Sequence, residues 1–147
     1  MEGLVCKVCG HIALIGVAPE KCPVCGAPAK SFEKKPDAVV AVKEPAKPTD
    51  FEKKHTPAIT IVRKCGLIPE GCIDAHVKIG GIQHPMQSDH FIQYIDFYID
   101  KKYISRVYLT PDKLNPAAAL HLKPTSGRLT AIESCNLHGR WIAEAEI

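Results

Sequence analysis

No stretch of the 147-residue chain approaches the roughly 18 consecutive apolar residues that carry a helix across a bilayer. The apolar segment "IALIGVAP" is too short for that and follows two cysteines, so it does not read as a signal peptide. Without an export signal the expectation is a cytoplasmic protein with no membrane partner. Charge of one sign is also scarce: the formal net charge of +3 is too weak to argue for nucleic acid as a partner. Internal repeats are absent, and so is any convincing helical pattern.

Cysteine, by contrast, is plentiful. Seven are present, a high count for a compartment that keeps thiols reduced, where clustered cysteines are more often ligands than disulfides. The count is odd, so at least one cysteine does something other than pair, and Cys135 stands alone. Four are packed into the first 25 residues as "CKVCG" and "CPVCG". These place Cys6, Cys9, Cys22 and Cys25 as two C-x2-C knuckles. A glycine after each, Gly10 and Gly26, can take positive φ and free backbone amides to face the sulfurs. Four thiolates in tetrahedral array suit zinc or iron, and spacing alone does not choose between them. His11 follows one knuckle; with four thiolates available, it is expected to be a partly exposed packing residue rather than a ligand.

Residues 34–50, within "EKKPDAVVAVKEPAKPTD", carry Lys, Pro, Ala and Val with no glycine or aromatic and read as a semi-extended linker. The linker separates a small unit, 1–33, from a body, 51–147. In the body, "PAITIVRK", "AHVKIGG", "HFIQYIDFYID", "YISRVYLT", "AAALHLKP", "GRLTAIESC" and "RWIAEAEI" are β-branched or aromatic runs, several alternating. In the last, Trp141, Ala143, Ala145 and Ile147 fall on one face, with Ile142, Glu144 and Glu146 on the other. Seven short strands predict a mainly β fold, a β-sandwich behind a small metal-knuckle domain.

Histidine is the other informative residue type, and four of the seven fall at turns or strand boundaries. His55 lies in "EKKHTP", His84 and His90 in "HPMQSDH", and His138 three residues after Cys135 in "ESCNLHGRW". Imidazole and thiolate together suit iron, copper or zinc. A C-x2-H turn can aim both side chains at one ion, and the polar loop between His84 and His90 can curl both rings around one centre. His76 and His121 sit mid-strand and are read as non-ligands. Cys65 and Cys72 flank "GLIPEG", a turn; a disulfide or a second metal is conceivable there, but spare reduced thiols fit the compartment better.

"KHTP", "HPMQSDHFI" and "CNLHGRW" resemble the three metal-binding segments of superoxide reductase, the catalytic domain of desulfoferrodoxins and neelaredoxins. "CKVCGHI" and "APEKCPVCGAPAKSF" resemble the rubredoxin-like domain at the end of rubrerythrins, although only Phe32 is aromatic there. The resemblance implies an immunoglobulin-like seven-stranded sandwich holding one iron through His55, His84, His90 and His138, with Cys135 as axial thiolate. It implies a second, one-electron iron (or zinc) in the four-cysteine unit, and one-electron reduction of superoxide to hydrogen peroxide. A rubredoxin or other small donor would re-reduce the centre. Such a ferrous site carries about +1 net charge and attracts an anion, with Lys53 and Lys54 adding to the pull. The family pattern is Glu-Lys-His, whereas this chain reads Glu52-Lys53-Lys54-His55. Lys54 matches the family lysine; Lys53 stands in place of the glutamate, and Glu52 would reach the iron only if the segment shifted. A zinc-ribbon head on an immunoglobulin-like interaction module, or a pure electron carrier, are the alternatives. Exposed strand edges make a homodimer or homotetramer plausible.

Overall fold

The computed structural model describes residues 1–147 and is mainly β. A three-stranded head is formed by β1 (Gly3–Cys6), β2 (Ile12–Ala13) and β3 (Phe32–Lys35), in the order β2-β1-β3. A short helix, α1 (Asp50–His55), opens the body. Seven strands follow: β4 (Pro57–Val62), β5 (Ile73–Ile79), β6 (Ile92–Ile99), β7 (Lys102–Tyr108), β8 (Ala117–Leu122), β9 (Arg128–Cys135) and β10 (Gly139–Glu146). They make two antiparallel sheets, β10-β9-β6-β7 and β4-β5-β8.

Successive side chains of a strand face opposite ways, and β5 shows the consequence. Ile73, Ala75, Val77 and Ile79 are buried between the sheets, while His76 and Lys78 are exposed. The core between the sheets joins these residues to Ile92, Ile95, Phe97, Leu129, Ala131 and Ile147. β6 and β9 are instead buried almost end to end, because the outer face of their sheet is covered as well. The cover is the head and the segment after it. Val5, Ile12, Ala38 and Val39 pack on Tyr98 and Ile132 in a second apolar cluster.

The segment 34–50 is therefore not a free tether. Ala38 and Val39 are each 2% exposed, and Val40 bonds along β10 through its N–H to the Arg140 carbonyl (2.8 Å) and its carbonyl to the Ile142 N–H (3.1 Å). Burying a valine side chain is worth about 1.5–3 kcal/mol. That offsets the roughly 1–2 kcal/mol of backbone entropy lost when such a residue is ordered. The apolar run "AVV" explains why this stretch docks while its Lys- and Pro-rich remainder does not.

A polar junction completes the contact. Asp96 and Arg106 are opposite one another on β6 and β7, and the guanidinium grips the carboxylate with two bonds, of 2.5 and 2.7 Å. The same Arg106 donates to the Cys9 carbonyl (2.7 Å) and lies over the Tyr94 ring, 3.5 Å from its centroid. His11 is a packing residue, as expected, but it is fully buried rather than partly exposed. It stacks on Tyr98 with ring centroids 5.7 Å apart, and its Nδ1 lies 3.3 Å from the Tyr98 hydroxyl. Gly10 is needed on two counts. Its φ is +75°, and a Cβ there would come 2.6 Å from the Arg140 guanidinium and 2.7 Å from the Tyr94 hydroxyl.

Helix α1 departs from the all-strand expectation for the body. Its signal is the capping box Thr49-x-x-Glu52. The Glu52 N–H donates to Thr49 Oγ1 (3.2 Å), and Glu52 Oε2 accepts from the Thr49 N–H (2.8 Å) and hydroxyl (2.9 Å). Those bonds, first from the Thr49 amide and then from its hydroxyl, hold the Glu52 carboxyl below its ordinary 4.5. A depressed carboxyl contributes stability above its unfolded pKa and loses it as pH falls through the folded value. Glu52→Ala is accordingly expected to lower the urea midpoint slightly at pH 7, with the difference from wild type closing under acid as the native carboxylate protonates.

Candidate metal centre

Three segments deliver the five donors to one end of the sandwich. His55 is the last residue of α1, which packs against the turn after β5: a Cβ on Gly80 would run into the carbonyl oxygens of Lys53 and Thr56. His84 follows β5 and is fixed by its N–H to the Ile79 carbonyl (2.8 Å). A tight turn, with Gln87 and His90 bonded N–H to carbonyl in both directions (2.9 and 3.1 Å), folds His90 back beside it. Cys135 ends β9 and His138 lies in the turn to β10. Asn136 braces that turn against the histidine loop: its Oδ1 accepts from the Phe91 N–H (2.8 Å) and its Nδ2 donates to the Asp89 carbonyl (3.0 Å).

The ligand atoms of His55, His84, His90, Cys135 and His138 all lie within 4.8 Å of one another. Hydrogen bonds choose which ring nitrogen faces the centre. His55 Nδ1 bonds to the Phe51 carbonyl (2.8 Å) and His84 Nδ1 to the Pro85 carbonyl (2.7 Å), so each Nε2 is left inward. The inward Nε2 atoms of His84 and His90 are buried and have no hydrogen-bond partner. An orphaned buried nitrogen is costly unless something binds it. His55 Nε2 sits 3.0 Å from His138 Nδ1, which in turn is 3.6 Å from Cys135 Sγ. Four imidazoles and a thiol thus converge, an arrangement that a transition metal fits and that leaves His84 Nε2 and His90 Nε2 with no protein partner.

The electrostatics agree. Burial, the leading cause in each case, lowers the pKa of His55, His84 and His90, with His84 brought to about 4. All three are neutral at pH 7, the form a metal requires. Burial pushes the Cys135 thiol up, opposed by the amides of Leu137 and His138 that point at the sulfur. A cation is what makes the thiolate favourable there. Phe51 and Trp141 wall the site, with ring centroids 4.3 and 5.2 Å from that of His55, and the Trp141 indole donates to the His138 carbonyl (3.1 Å). Sequence reasoning passed over Phe51 and Asn136 as supports, although the latter is part of the "CNLHG" segment.

Residues 47–144 match the family described as desulfoferrodoxin, and residues 5–33 match the rubrerythrin-type rubredoxin-like domain. The chain belongs to the desulfoferrodoxin family. It is 34% identical over 148 residues to a desulfoferrodoxin of Syntrophotalea carbinolica, covering 98% of this chain and 96% of that one. Among solved structures, the superoxide reductase from Nanoarchaeum equitans superposes with a TM-score of 0.55 at 29% identity, over 67% of this chain and 97% of that chain. The superoxide reductase (neelaredoxin) from Ignicoccus hospitalis gives 0.52 at 33% identity, over 63% and 79%. The group of four histidines and one cysteine lies within the desulfoferrodoxin match, and the four-cysteine cluster lies within the rubredoxin-like match.

In that knuckle Cys6 and Cys25 place their sulfurs 3.7 Å apart, and Cys9 and Cys22 3.5 Å apart. Gly10 and Gly26 have φ of +75° and +76°, and the amides of Val24 and Cys25 face Cys22, as the knuckle reading requires. Glu52, which would approach the iron only if its segment shifted, is held at the start of α1. Both its oxygens are occupied, Oε2 by Thr49 and Oε1 by the Lys43 N–H (3.3 Å), so it caps α1 instead. Lys53 pairs with Asp50 (3.4 Å), whereas Lys54 is exposed and its charge is among the causes that lower His55 and His90. His76 stands exposed on β5, apart from both clusters. His121, read as a non-ligand, is instead grouped with Cys65, Cys72 and Asp74.

Proposed function

We propose that the chain is a superoxide reductase, catalysing O2•− + e− + 2 H+ → H2O2 in the body, 51–147, with 1–33 as its electron-transfer head and 34–50 as the strap between them. The observation that carries this reading is the convergence of His55, His84, His90, His138 and Cys135 in a chain of this family. Iron held by these residues supplies the electron, and the four-cysteine centre, holding iron or zinc, supplies one-electron exchange when iron is bound.

The chain's own residues do the rest. Cys135 is 3% exposed and approaches from the protein side, whereas His90 and His138 are half-buried, so the reacting face is toward solvent. Lys54, exposed and next to His55, draws the anion to that face. Lys53 contributes less, since Asp50 offsets its charge. Water at the open face delivers both protons. The knuckle residue Gly10 rests on Arg140, two residues beyond His138, which places the head against the turn that carries the site. A small external donor, a rubredoxin among them, is the partner that fits a head of this kind. No helix is long and apolar enough to cross a membrane, and we assign the protein to the cytoplasm. β7 and β8 end their sheets, and pairing along them would give a homodimer or homotetramer.

Mixing the reduced protein with superoxide tests the reaction. One peroxide per superoxide, without dioxygen release, is expected; half a peroxide with dioxygen release would make it a dismutase instead. Lys54→Met is expected to slow the bimolecular step by up to about 10-fold and to flatten its dependence on ionic strength. Pulse radiolysis at several salt concentrations reads both, and an unchanged salt slope would remove Lys54 from the steering role.

A further inference from the structure

A third group of metal-ligating side chains lies away from both iron centres. Cys65 and Cys72 sit in the loop between β4 and β5. Asp74, near the start of β5, is directly opposite His121 on β8. The ligand atoms of all four lie within 4.8 Å of one another. Cys65 Sγ is 3.3 Å and Cys72 Sγ 3.6 Å from His121 Nδ1, and Cys72 Sγ is 3.7 Å from Asp74 Oδ1. Tetrahedral zinc, with bonds of about 2.0–2.3 Å, sets its ligand atoms about 3.3–3.8 Å apart. A shorter contact, His121 Nδ1 to Asp74 Oδ1 at 2.8 Å, is a hydrogen-bonded ion pair whose proton a cation would replace.

The backbone around Cys65 makes a second, independent point. The amides of Leu67 and Ile68, two and three residues on, both donate to its sulfur at 3.4 Å. The same two positions face the sulfur at Cys22 (Val24 and Cys25) and at Cys135 (Leu137 and His138). The loop after Cys65 thus repeats the turn that presents a thiolate at both of the other centres. Both cysteines are free thiols, each oriented on His121.

The geometry points to a zinc site formed by Cys65, Cys72, Asp74 and His121. Two thiolates, one carboxylate and one neutral imidazole form a closed tetrahedral set with no open position, which suits a structural ion rather than a catalytic one. It would staple the Cys65–Cys72 loop, with its exposed Leu67 and Ile68, across β5 to β8. From Asp74 to Ile79, beside the iron end, is five residues of strand, about 17 Å. The site is thus separate from the iron centre, and the assignment does not rest on the reductase reading.

Metal analysis of the full-length protein, purified without chelator and dialysed against micromolar zinc, tests it. Wild type is expected to hold one more zinc per chain than Cys65→Ser/Cys72→Ser, with the iron content and the Cys135 thiolate-to-ferric absorption band the same in both. His121→Ala, which leaves both cysteines in place, is expected to lose that zinc as well. In wild type, iodoacetamide should label Cys65 and Cys72 only after a zinc chelator is added. Equal zinc in wild type and variants, a Cys65–Cys72 disulfide in the purified protein, or full labelling before chelation would overturn the assignment.

Discussion

Cys135→Ser is expected to fold, to lose the thiolate-to-ferric band and to reduce superoxide at least about 100-fold more slowly. Removing a group that merely orients a metal ligand costs about 10–100-fold, so removing the ligand itself should cost no less. Cys135 is the one anionic donor among the five, and the amides of Leu137 and His138 are aimed at its sulfur. A serine hydroxyl can accept from those amides, so β9 and the turn to β10 keep their shape. Its pKa is far higher than a thiol's, however, and it supplies neither the charge nor the polarisable donor. The comparison to make is iron content, absorption spectrum and rate in a single preparation. Retained fold with the band and rate unchanged would mean that the thiolate is not bound to the iron.

Asp96→Ala is expected to cost about 3–5 kcal/mol of stability, the range for leaving one member of a buried ion pair alone. Both side chains of the Asp96–Arg106 pair are 2% exposed, so the stranded guanidinium has no water to turn to. The loss should extend to the head, because Arg106 also holds the Cys9 carbonyl. Urea unfolding followed separately by the absorption of the four-cysteine centre and by Trp141 fluorescence reads both effects. The two probes should coincide in wild type and separate in Asp96→Ala, the head melting first. Replacing both members, Asp96→Leu with Arg106→Met, is expected to recover most of the stability, because no unpaired charge remains. A single variant as stable as wild type would show that the junction does not hold the head.

What the sequence made legible was local. Alternation marked the body strands, C-x2-C marked the knuckle, and turns marked the four clustered histidines, because each of these is written in a few adjacent residues. The short α1 was equally local, in Thr49 and Glu52, but six residues give too little periodicity to register as a helix. Docking of 34–50 and burial of His11 were not legible, since both depend on the outer face of a sheet assembled from β6, β7, β9 and β10. The same reason hid the company that His121 keeps. Cys65, Cys72, Asp74 and His121 share no motif, and only the register of β5 against β8 brings them together. The capping role of Glu52 was also written locally, in Thr49 three residues before it, and needs the helix to be recognised first.

The convergence of five donors on one iron is tested most directly by a crystal structure of the iron-loaded protein, with anomalous data at the iron edge. The predicted result is an iron peak in the body bonded to His55 Nε2, His84 Nε2, His90 Nε2, His138 Nδ1 and Cys135 Sγ. Iron confined to the four-cysteine knuckle, or imidazoles turned away from a common centre, would contradict it.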